Sequence, residues 1–446
     1  MTTDAMKPLL LEPTDVLFFR DAVPMSAGQG KGAGCRMPFP STIHEAFRSS
    51  LLLVSDRGTG GKTEEGRPRH APKRGSWHDR AWPEEDRRRI ATRAFRSFRT
   101  VGPLPFLESA RLGLLLPMPL DVAFERDPDQ EANEPPRFLR RLVLWRDNSV
   151  TSEGTATPSA FRVPCLPCAV TPPDKHAQLH DWWTVQQYTV YLSGDAENRD
   201  NRFRPLPTDS LWQAEHRIGV EIAPDTFAAR SGQLYAGAYL RPHADTRFAV
   251  QAWSEKPANG EEQELNALDW LLLGGERRLA RVWHDPKTDP FAALPPAPEV
   301  NHSGPCLLKW VMVTPAIFRH GSLPGWCADT KRHRLAGLLP VGRVCLELPG
   351  RAQLISWCLG KPLAISGWDV VEGRAKPTQL AVPAGSVYYF LCENAETGNA
   401  LAKKMHWQPR SDFYGEKGCG YGLCSFDVKM HATSADVSTL ARELLI

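Results

Sequence analysis

Two basic, glycine-rich stretches of the chain have residue types that could bind an anion. In the first, four glycines alternate with small or polar residues between positions 28 and 34, and Lys31 lies among them. In the second, YGEKGCGYG, glycines surround Lys417, and Tyr421 offers a ring face for a base. Glycine tolerates positive φ and lets another chain approach the backbone closely. Both stretches therefore predict contact with a polyanion, although a surface loop and a tight turn explain the same glycines.

A strand and a helix flank the first stretch. Val16–Arg20 is a short apolar run of β type, and the sequence TIHE from Thr42 to Glu45 fits a capping box, which predicts a helix start near Thr42. Arg48 falls outside the apolar stripe of this helix and within reach of the loop. A basic loop that leads into a helix N-terminus is favourable for an anion. The stripe itself has helical spacing and consists of Ile43, Ala46, Phe47, Leu51 and Val54.

Histidines and cysteines are the other candidates for chemistry. The candidate general bases for RNA cleavage are His44, His216, His320 and His406. A structural or solvent-exposed histidine is favoured at each position, because no His–Ser–Asp or His–Lys arrangement is visible. Cys165 and Cys168 have zinc-ligand spacing, but structural zinc uses four ligands and no convincing second pair follows. The sequence therefore predicts no catalytic residue, no metal and no cofactor.

The composition is that of a globular protein with one strongly basic region. The chain has 446 residues, of which 42% are hydrophobic and 24% charged, and this length suits two domains. The net charge is only +3, so a polyanion site must be a local patch. Between Arg67 and Arg99, eleven Lys or Arg stand against four acidic residues, with four aromatic residues among them. This run suits single-stranded RNA, and it equally fits a solvated insertion.

The cysteine count and the apolar runs indicate the cellular compartment in which we expect the protein. Ten cysteines are too sparse for a disulfide framework. The sequence shows no pattern of a secretory leader and no apolar run of membrane length. We expect a cytoplasmic protein with reduced thiols and no membrane contact.

The order of the predicted elements indicates an α+β fold made of two ferredoxin-like domains. The first domain, 1–284, has the order βαββαβ and a large insertion at about 55–210, which is basic and rich in Pro and Gly at 55–100. Its predicted elements are a strand at 8–20, a helix at 42–54, a hairpin at 216–240, a helix at 261–273 and a strand at 277–283.

A proline-rich linker at 285–305 separates the first domain from a second one at 306–446, which includes the glycine-rich loop 414–422. The predicted strands of this second domain lie at 307–313, 341–348, 354–359, 386–391 and 425–430. Its predicted helices lie at 395–406 and 437–445.

Several segments resemble the third subunit of the Cmr complex, a RAMP protein of type III-B CRISPR effectors. The similar segments follow in the family's order from residue 15 to about 422. They are FFRD with the glycine-bearing loop and PFPSTI, GP…P.P.D, RIGVEI…GQLY, LGGERRLARV, TPAIFRHGSLPGW, and ISGWD…AGSVYYF. The basic insertion at 55–100 matches no pattern of the family.

The resemblance implies an RRM-like RAMP protein that is non-catalytic and caps the 5′ end of crRNA. It would hold the repeat-derived 5′ tag, link the large polymerase-like subunit to the backbone RAMP subunit, and meet target RNA only indirectly. Phe18 and Phe19 could stack on bases, although such residues more often belong to the core. The RNA-binding residues that follow are Arg20, Lys31, Gly32, Gly34, Arg36, Ser41, Thr42, Arg48, Lys417, Gly418, Gly420, Tyr421 and Gly422.

Two other functions remain open at the level of the sequence. One is a RAMP endoribonuclease that cuts CRISPR precursor RNA with a histidine as general base, which a metal-free cleavage assay on repeat RNA distinguishes. The other is a scaffold that contacts protein partners alone, which salt-dependent RNA binding would exclude.

Overall fold

The computed structural model describes residues 6–19, 31–32, 37–59, 97–108, 112–125, 138–146, 165–169, 182–194, 205–255, 261–284, 289–327, 342–369, 374–431 and 436–445. We call residues 6–284 the N-terminal part and residues 289–445 the C-terminal part. The fold is mixed α/β, with mostly antiparallel sheets and few helices among the described residues.

The N-terminal part contains strands β1 (Lys7–Pro13), β2 (Lys31–Gly32), β3 (Phe98–Leu107), β4 (Gly113–Pro117), β5 (Val122–Glu125), β6 (Phe138–Arg141), β7 (Val143–Trp145), β8 (Leu166–Cys168), β9 (Trp182–Thr184), β10 (Trp212–Ile222), β11 (Ala229–Pro242), β12 (Thr246–Ser254), β13 (Trp270–Leu272) and β14 (Leu279–Trp283). Its helices are α1 (Pro40–Thr59), α2 (Val185–Ser193) and α3 (Glu261–Asn266).

The C-terminal part contains strands β15 (Cys306–Met312), β16 (Ala352–Cys358), β17 (Leu363–Ile365), β18 (Trp368–Asp369), β19 (Arg374–Ala375), β20 (Gln379–Ala381), β21 (Val387–Cys392) and β22 (Gly422–Ser425). Its helices are α4 (Ala395–Met405) and α5 (Val437–Leu444).

A seven-stranded sheet organises the N-terminal part, in the order β13–β14–β1–β12–β3–β4–β9. β1 pairs antiparallel with β12 and β14, and β12 pairs antiparallel with β3. Leu9 and Leu11 of β1 share a buried cluster with Phe47 of α1 on one face of the sheet. Because side chains alternate along a strand, Leu10 lies on the other face, where its cluster includes residues of the C-terminal part.

Helix α1 begins at Pro40, earlier than the predicted start at Thr42. Proline suits the first helical position, since its fixed φ fits the helix and its missing N–H has no intrahelical partner to lose. Thr42 therefore lies inside the helix and not at its N-cap. The apolar stripe is confirmed where side chains are described, at Ile43, Ala46, Phe47 and Leu51, which are all buried.

The assignment of the two central strands of the first sheet is wrong. The hairpin predicted at 216–240 forms β10 and β11, which make a separate three-stranded sheet with β2. The central places belong to β3 and β12, and β3 falls inside the predicted insertion. β3 was not predicted because it contains Pro103 and Pro105. Proline removes a ladder hydrogen bond and argues against a central strand. The helix predicted at 261–273 is also shorter, since it ends at Asn266 and β13 follows.

The C-terminal part is built on a four-stranded antiparallel sheet in the order β16–β21–β15–β22. The strands predicted at 307–313, 354–359 and 386–391 are confirmed as β15, β16 and β21. The helices predicted at 395–406 and 437–445 are confirmed as α4 and α5.

Two strands predicted in this part are wrong. The last strand, predicted at 425–430, is β22 and ends at Ser425, where the Ser425 hydroxyl accepts a hydrogen bond from the Asp427 backbone N–H at 3.0 Å and turns the chain. In place of the strand predicted at 341–348, the described residues contain only an isolated bridge from Arg343 to Gln353.

The two parts share one hydrophobic core. Leu10 and Leu104 of the N-terminal part belong to the same buried cluster as Val311 and Leu423 of the C-terminal part. Phe291, in the segment predicted as a linker, is 5% exposed and belongs to this cluster too. The two sheets are therefore packed against each other. No helix among the described residues combines the length and apolar character needed to cross a membrane.

Candidate nucleic-acid interface

The first turns of α1 carry three of the predicted RNA-binding residues. Ser41 and Thr42 are half-buried in the first turn, and Arg48 is half-buried two turns later. The Thr42 backbone N–H donates to the Phe39 carbonyl at 2.8 Å, which closes the N-terminus as a tight turn. The start of a helix combines outward N–H groups with the positive end of the helix dipole, so this turn suits an anion.

The C-terminal glycine-rich loop packs directly on the N-terminal part. Gly418 has a φ of +93°, and a Cβ built there would lie 2.9 Å from the Thr100 carbonyl oxygen of β3. Gly420 has a φ of +78°, and its Cβ would overlap the backbone of Ser411. Positive φ and close backbone approach both require glycine. In this structure, these glycines let the loop lie against its own chain. From the sequence, that close approach of the backbone was assigned to RNA.

An ion pair between residues 372 positions apart in sequence joins the two predicted regions. The Lys417 ammonium donates to Glu45 Oε1 of α1 at 2.6 Å and lies 4.7 Å from the centre of the Tyr414 ring. Burial, the largest single effect, would raise the pKa of Glu45, but the charge and hydrogen bond of Lys417, together with nearby His44 and Arg48, outweigh it, and the pKa lies below its ordinary value. The carboxylate is therefore ionised and fixes Lys417 beside the first turns of α1.

Next to this pair lies a neutral, buried histidine. His44 is 4% exposed, and its Nδ1 lies 3.2 Å from Thr100 Oγ1 of β3. Burial lowers the pKa of His44 to about 3; the Glu45 carboxylate opposes this, while Lys417 and two arginines, Arg48 and Arg99, add to it. Burial, with a smaller contribution from the three nearby cations, thus keeps the His44 imidazole uncharged.

Tyr421 does not offer the stacking face that the sequence suggested. Its side chain is 3% exposed, and its ring lies 5.7 Å from the Trp407 ring in an edge-to-face contact. Val101 and Trp253 of the seven-stranded sheet complete the cluster around it. Burial raises its pKa above the ordinary value. Tyr421 therefore belongs to the packing that holds the loop, and so does Gly422, whose Cβ would overlap the Trp310 side chain.

The first glycine-rich stretch is described only at Lys31 and Gly32. Their backbone forms β2, which pairs in parallel with Ala236 and Gly237 of β11 and so runs beside the hairpin. The two phenylalanines before this stretch are core residues, each 4% exposed, as the sequence favoured. The predicted RNA-binding residues Arg20, Gly34 and Arg36 lie outside the described residues.

Two of the other candidates, His406 and Cys165, have structural surroundings, whereas His216 is exposed and His320 is half-buried. His406 Nδ1 accepts from the Cys424 N–H at 3.1 Å, and its Nε2 lies 2.9 Å from the Pro295 carbonyl, so both ring nitrogens are engaged. Cys165 is buried, and burial raises the pKa of its thiol to about 11. Among the described residues, no group of three or more His, Cys, Asp or Glu could hold a metal ion.

Sequence reasoning missed the residues that hold the site together. Glu45 was assigned to a capping box, whereas it binds Lys417 across the interface. Tyr414, whose ring accepts Lys417, has a φ of +60°, uncommon for a residue other than glycine. Arg99 was counted within the basic run, yet it lies on β3 and pairs with Glu255 at 2.8 Å. Only the tertiary packing of β3 under the loop brings these residues together.

Comparison with known proteins identifies one family that matches most of the chain. Residues 9–426 match the family described as CRISPR-associated protein (Cas_Cmr3). No curated protein matches the sequence. The chain is similar to one in a cryo-EM structure of the type III-B Cmr-beta bound to cognate target RNA and AMPPnP, with 13% identity, 86% of each chain covered and a TM-score of 0.42.

A second solved structure is also similar to this chain. It is the crystal structure of the Csm3–Csm4 subcomplex in the type III-A CRISPR-Cas interference complex. The sequence identity is 11%, the match covers 88% of this chain and 94% of that one, and the TM-score is 0.35.

Proposed function

The chain belongs to the Cas_Cmr3 family of CRISPR-associated proteins, and we propose that it is a non-catalytic RNA-binding subunit of a type III-B CRISPR (Cmr) effector complex. In this role it binds the repeat-derived 5′ tag of crRNA and links the large polymerase-like subunit to the backbone RAMP filament. Target RNA is met through the crRNA.

The observation that carries this proposal is the ion pair between Lys417 and Glu45. It places the C-terminal glycine-rich loop beside the first turns of α1, so that Arg48, the hydroxyls of Ser41 and Thr42, and the helix N-terminus form one cationic and polar surface. A phosphate that approaches this surface can share Lys417 with Glu45. Charge-assisted hydrogen bonds of this kind are among the stronger polar contacts.

The proposal includes two ferredoxin-like units, 1–284 and 306–446, with the proline-rich segment 285–305 between them. The sheet order supports it. When the four strands of each unit are numbered in chain order, the N-terminal strands lie side by side as 4-1-3-2, which is β14–β1–β12–β3. The C-terminal strands have the same arrangement, β22–β15–β21–β16. α1 follows the first strand of the N-terminal unit, and α4 follows the third strand of the C-terminal unit.

Binding of tagged RNA by the full chain tests the proposed role. We expect the chain to prefer an RNA that carries the repeat-derived 5′ tag over the same RNA with a scrambled 5′ end. Arg48→Ala should lower affinity for the tagged RNA about tenfold or more, because a charge-assisted hydrogen bond contributes about 1.5–3 kcal/mol. Titration of labelled RNA at fixed salt measures both effects.

A matched control comes from a cation elsewhere on the surface. Lys361 is exposed in the C-terminal part, and Lys361→Ala should leave affinity and tag preference at the wild-type level. If the double variant Arg48→Ala, Lys417→Gln also keeps wild-type affinity and tag preference, the assignment of the tag to this surface is wrong.

A further inference from the structure

Five residues at one edge of the seven-stranded sheet form an uncovered strip, which we call the edge strip: Trp270, Leu272, Leu279, Arg281 and Trp283. Trp270 lies opposite Arg281 and Leu272 lies opposite Leu279 in the β13–β14 ladder, so all five side chains share one face. The intervening residues Leu271, Ala280 and Val282 are buried on the other face, under the helices.

The edge strip lies on the sheet face that the C-terminal part covers at β1. Trp283 lies opposite Leu10 of β1, and Leu10 packs with the C-terminal part on this face. That coverage stops short of β14, where the exposed fractions are 48% for Trp270, 39% for Leu272, 43% for Leu279 and 37% for Trp283. The four side chains together leave roughly 350 Å² of apolar surface in contact with water, the size at which surface patches are often functional.

The charged groups beside the edge strip are paired with one another, whereas the strip's own cation, Arg281, is not paired with a described residue. Glu12 accepts from the Trp283 indole N–H at 2.7 Å and from Arg247 at 3.1 Å, and Arg247 also pairs with Glu108. Arg281 is exposed and makes no ion pair with a described residue; its guanidinium lies 4.0 Å from the centre of the Trp283 ring. Stacking fixes the guanidinium plane and leaves its N–H edge free to donate to a carboxylate.

We propose that the edge strip is a docking surface for a neighbouring protein subunit that presents apolar side chains and a carboxylate opposite Arg281. Tryptophan and arginine on a rigid sheet are the residue types that carry most binding energy in protein interfaces. Single-stranded RNA fits this strip less well, because one unmatched cation neutralises little phosphate charge and two of the four apolar side chains are leucines, which cannot stack on bases.

The size of the edge strip decides between a second copy of this chain and a different subunit. A stable standard-size interface buries about 800 Å² on each partner, about twice the area that the strip offers. The strip therefore cannot hold a homodimer by itself. It can hold a subunit that is also anchored elsewhere in a larger assembly. In this respect the inference rests on the proposed role as a subunit of a Cmr complex.

Co-expression with defined partners tests the inference. The tagged full chain is expressed with the other protein subunits of its own type III-B complex and with crRNA, and the subunits recovered on the tag are quantified. Trp270→Glu, Leu279→Glu should lower the recovery of one protein subunit at least tenfold. Amide hydrogen exchange of the wild-type chain should slow within 270–283 when the complex forms.

The matched control uses leucines that are equally exposed elsewhere. Leu363 and Leu380 lie on the small β17–β20 sheet with exposed fractions of 43% and 58%, and Leu363→Glu, Leu380→Glu should keep every subunit. Full recovery of all subunits with the edge-strip variant, an equal loss with the control, or unchanged hydrogen exchange at 270–283 would each overturn the inference.

RNA binding by the isolated chain separates this inference from the proposed function. The edge-strip variant should bind tagged RNA with wild-type affinity. If it loses that affinity, the strip is an RNA surface and the proposal of a protein partner is wrong. If the wild-type chain shows no tag preference but the edge-strip variant still loses a subunit, the inference about the strip holds and the proposed tag-binding role is wrong.

Discussion

At the scale of one residue, the lowered pKa of His44 makes the stability of the protein depend on pH. Its folded-state pKa is about 3 and its ordinary value is 6.5. Below pH 6.5 the unfolded chain therefore takes up a proton at this position while the folded chain does not. The stability that His44 contributes is complete above pH 6.5 and is lost as the pH falls towards 3, at up to about 1.4 kcal/mol per pH unit.

This pH dependence can be measured with a non-titrating variant. His44→Asn keeps a polar group for Thr100 but removes the titration, so its free energy of unfolding should fall less steeply than that of the wild type between pH 6.5 and 4.5. Denaturant unfolding at several pH values measures the slope. Parallel curves for wild type and His44→Asn would contradict a neutral, buried His44.

The sequence does not predict the contacts that the predicted RNA-binding residues make in the structure. It selected Arg48 and Lys417, which the structure places at the meeting of α1 and the C-terminal loop. It could not assign Glu45 to Lys417, because an acid in the first turns of a helix fits a capping box equally well. It gave Tyr421 an exposed face because glycine-rich loops usually lie at the surface, and here β3 covers the loop.

At the scale of elements, the C-terminal loop depends on glycines that allow it to lie on β3. Gly418→Ala adds a Cβ 2.9 Å from a backbone oxygen and forces alanine into a φ of +93°. Backbone strain of this kind amounts to about 1–3 kcal/mol, and the steric contact adds to it. We expect Gly418→Ala to lower the free energy of unfolding by about 2 kcal/mol or more in denaturant titrations.

Gly232 isolates the steric contribution. It has a φ of +75° on the hairpin, but a Cβ there would meet nothing within 4 Å. Gly232→Ala should therefore show the conformational strain without the clash and destabilise the protein less than Gly418→Ala. Equal effects of the two substitutions would mean that the loop does not pack on β3 as described.

Helix α1 and strands β15 and β21 were predicted well because their patterns are local. The stripe of α1 and the apolar runs of β15 and β21 carry their own periodicity. β3 was missed because a strand with prolines is accepted only when its neighbours are known. The hairpin β10–β11 was found but placed in the wrong sheet, since an alternating pattern does not say which strand is its neighbour.

At the scale of the whole molecule, a buried polar cluster joins the two parts. Asp121 of the N-terminal part is 2% exposed and accepts hydrogen bonds from Tyr191 and from Tyr389 of the C-terminal part. The ammonium of Lys309, also of the C-terminal part, lies 3.9 Å from Asp121 Oδ2 and 3.8 Å from the centre of the Tyr191 ring. Burial lowers the pKa of Lys309 to about 8, and the charge of Asp121 opposes that shift.

Removal of the carboxylate should therefore loosen both parts together. Asp121→Asn leaves the Lys309 ammonium buried without its counter-charge, and removal of one partner of a buried pair typically lowers stability by about 3–5 kcal/mol. The exposed Asp225 at the hairpin tip gives the control, because Asp225→Asn should change little. Denaturant unfolding of the wild type should follow one transition. Separate transitions of the two parts, or an Asp121→Asn variant as stable as the control, would contradict a shared core.

The most direct test of the central claim is to identify the RNA nucleotides that this chain touches. The full chain is tagged in its native host, the assembly is purified gently and irradiated with ultraviolet light, and the RNA cross-linked to this chain is sequenced. The account predicts short RNAs that share one 5′ handle, with cross-links inside that handle and on peptides around 41–48 and 414–418. No cross-linked RNA, or RNAs without a common 5′ sequence, would contradict the account.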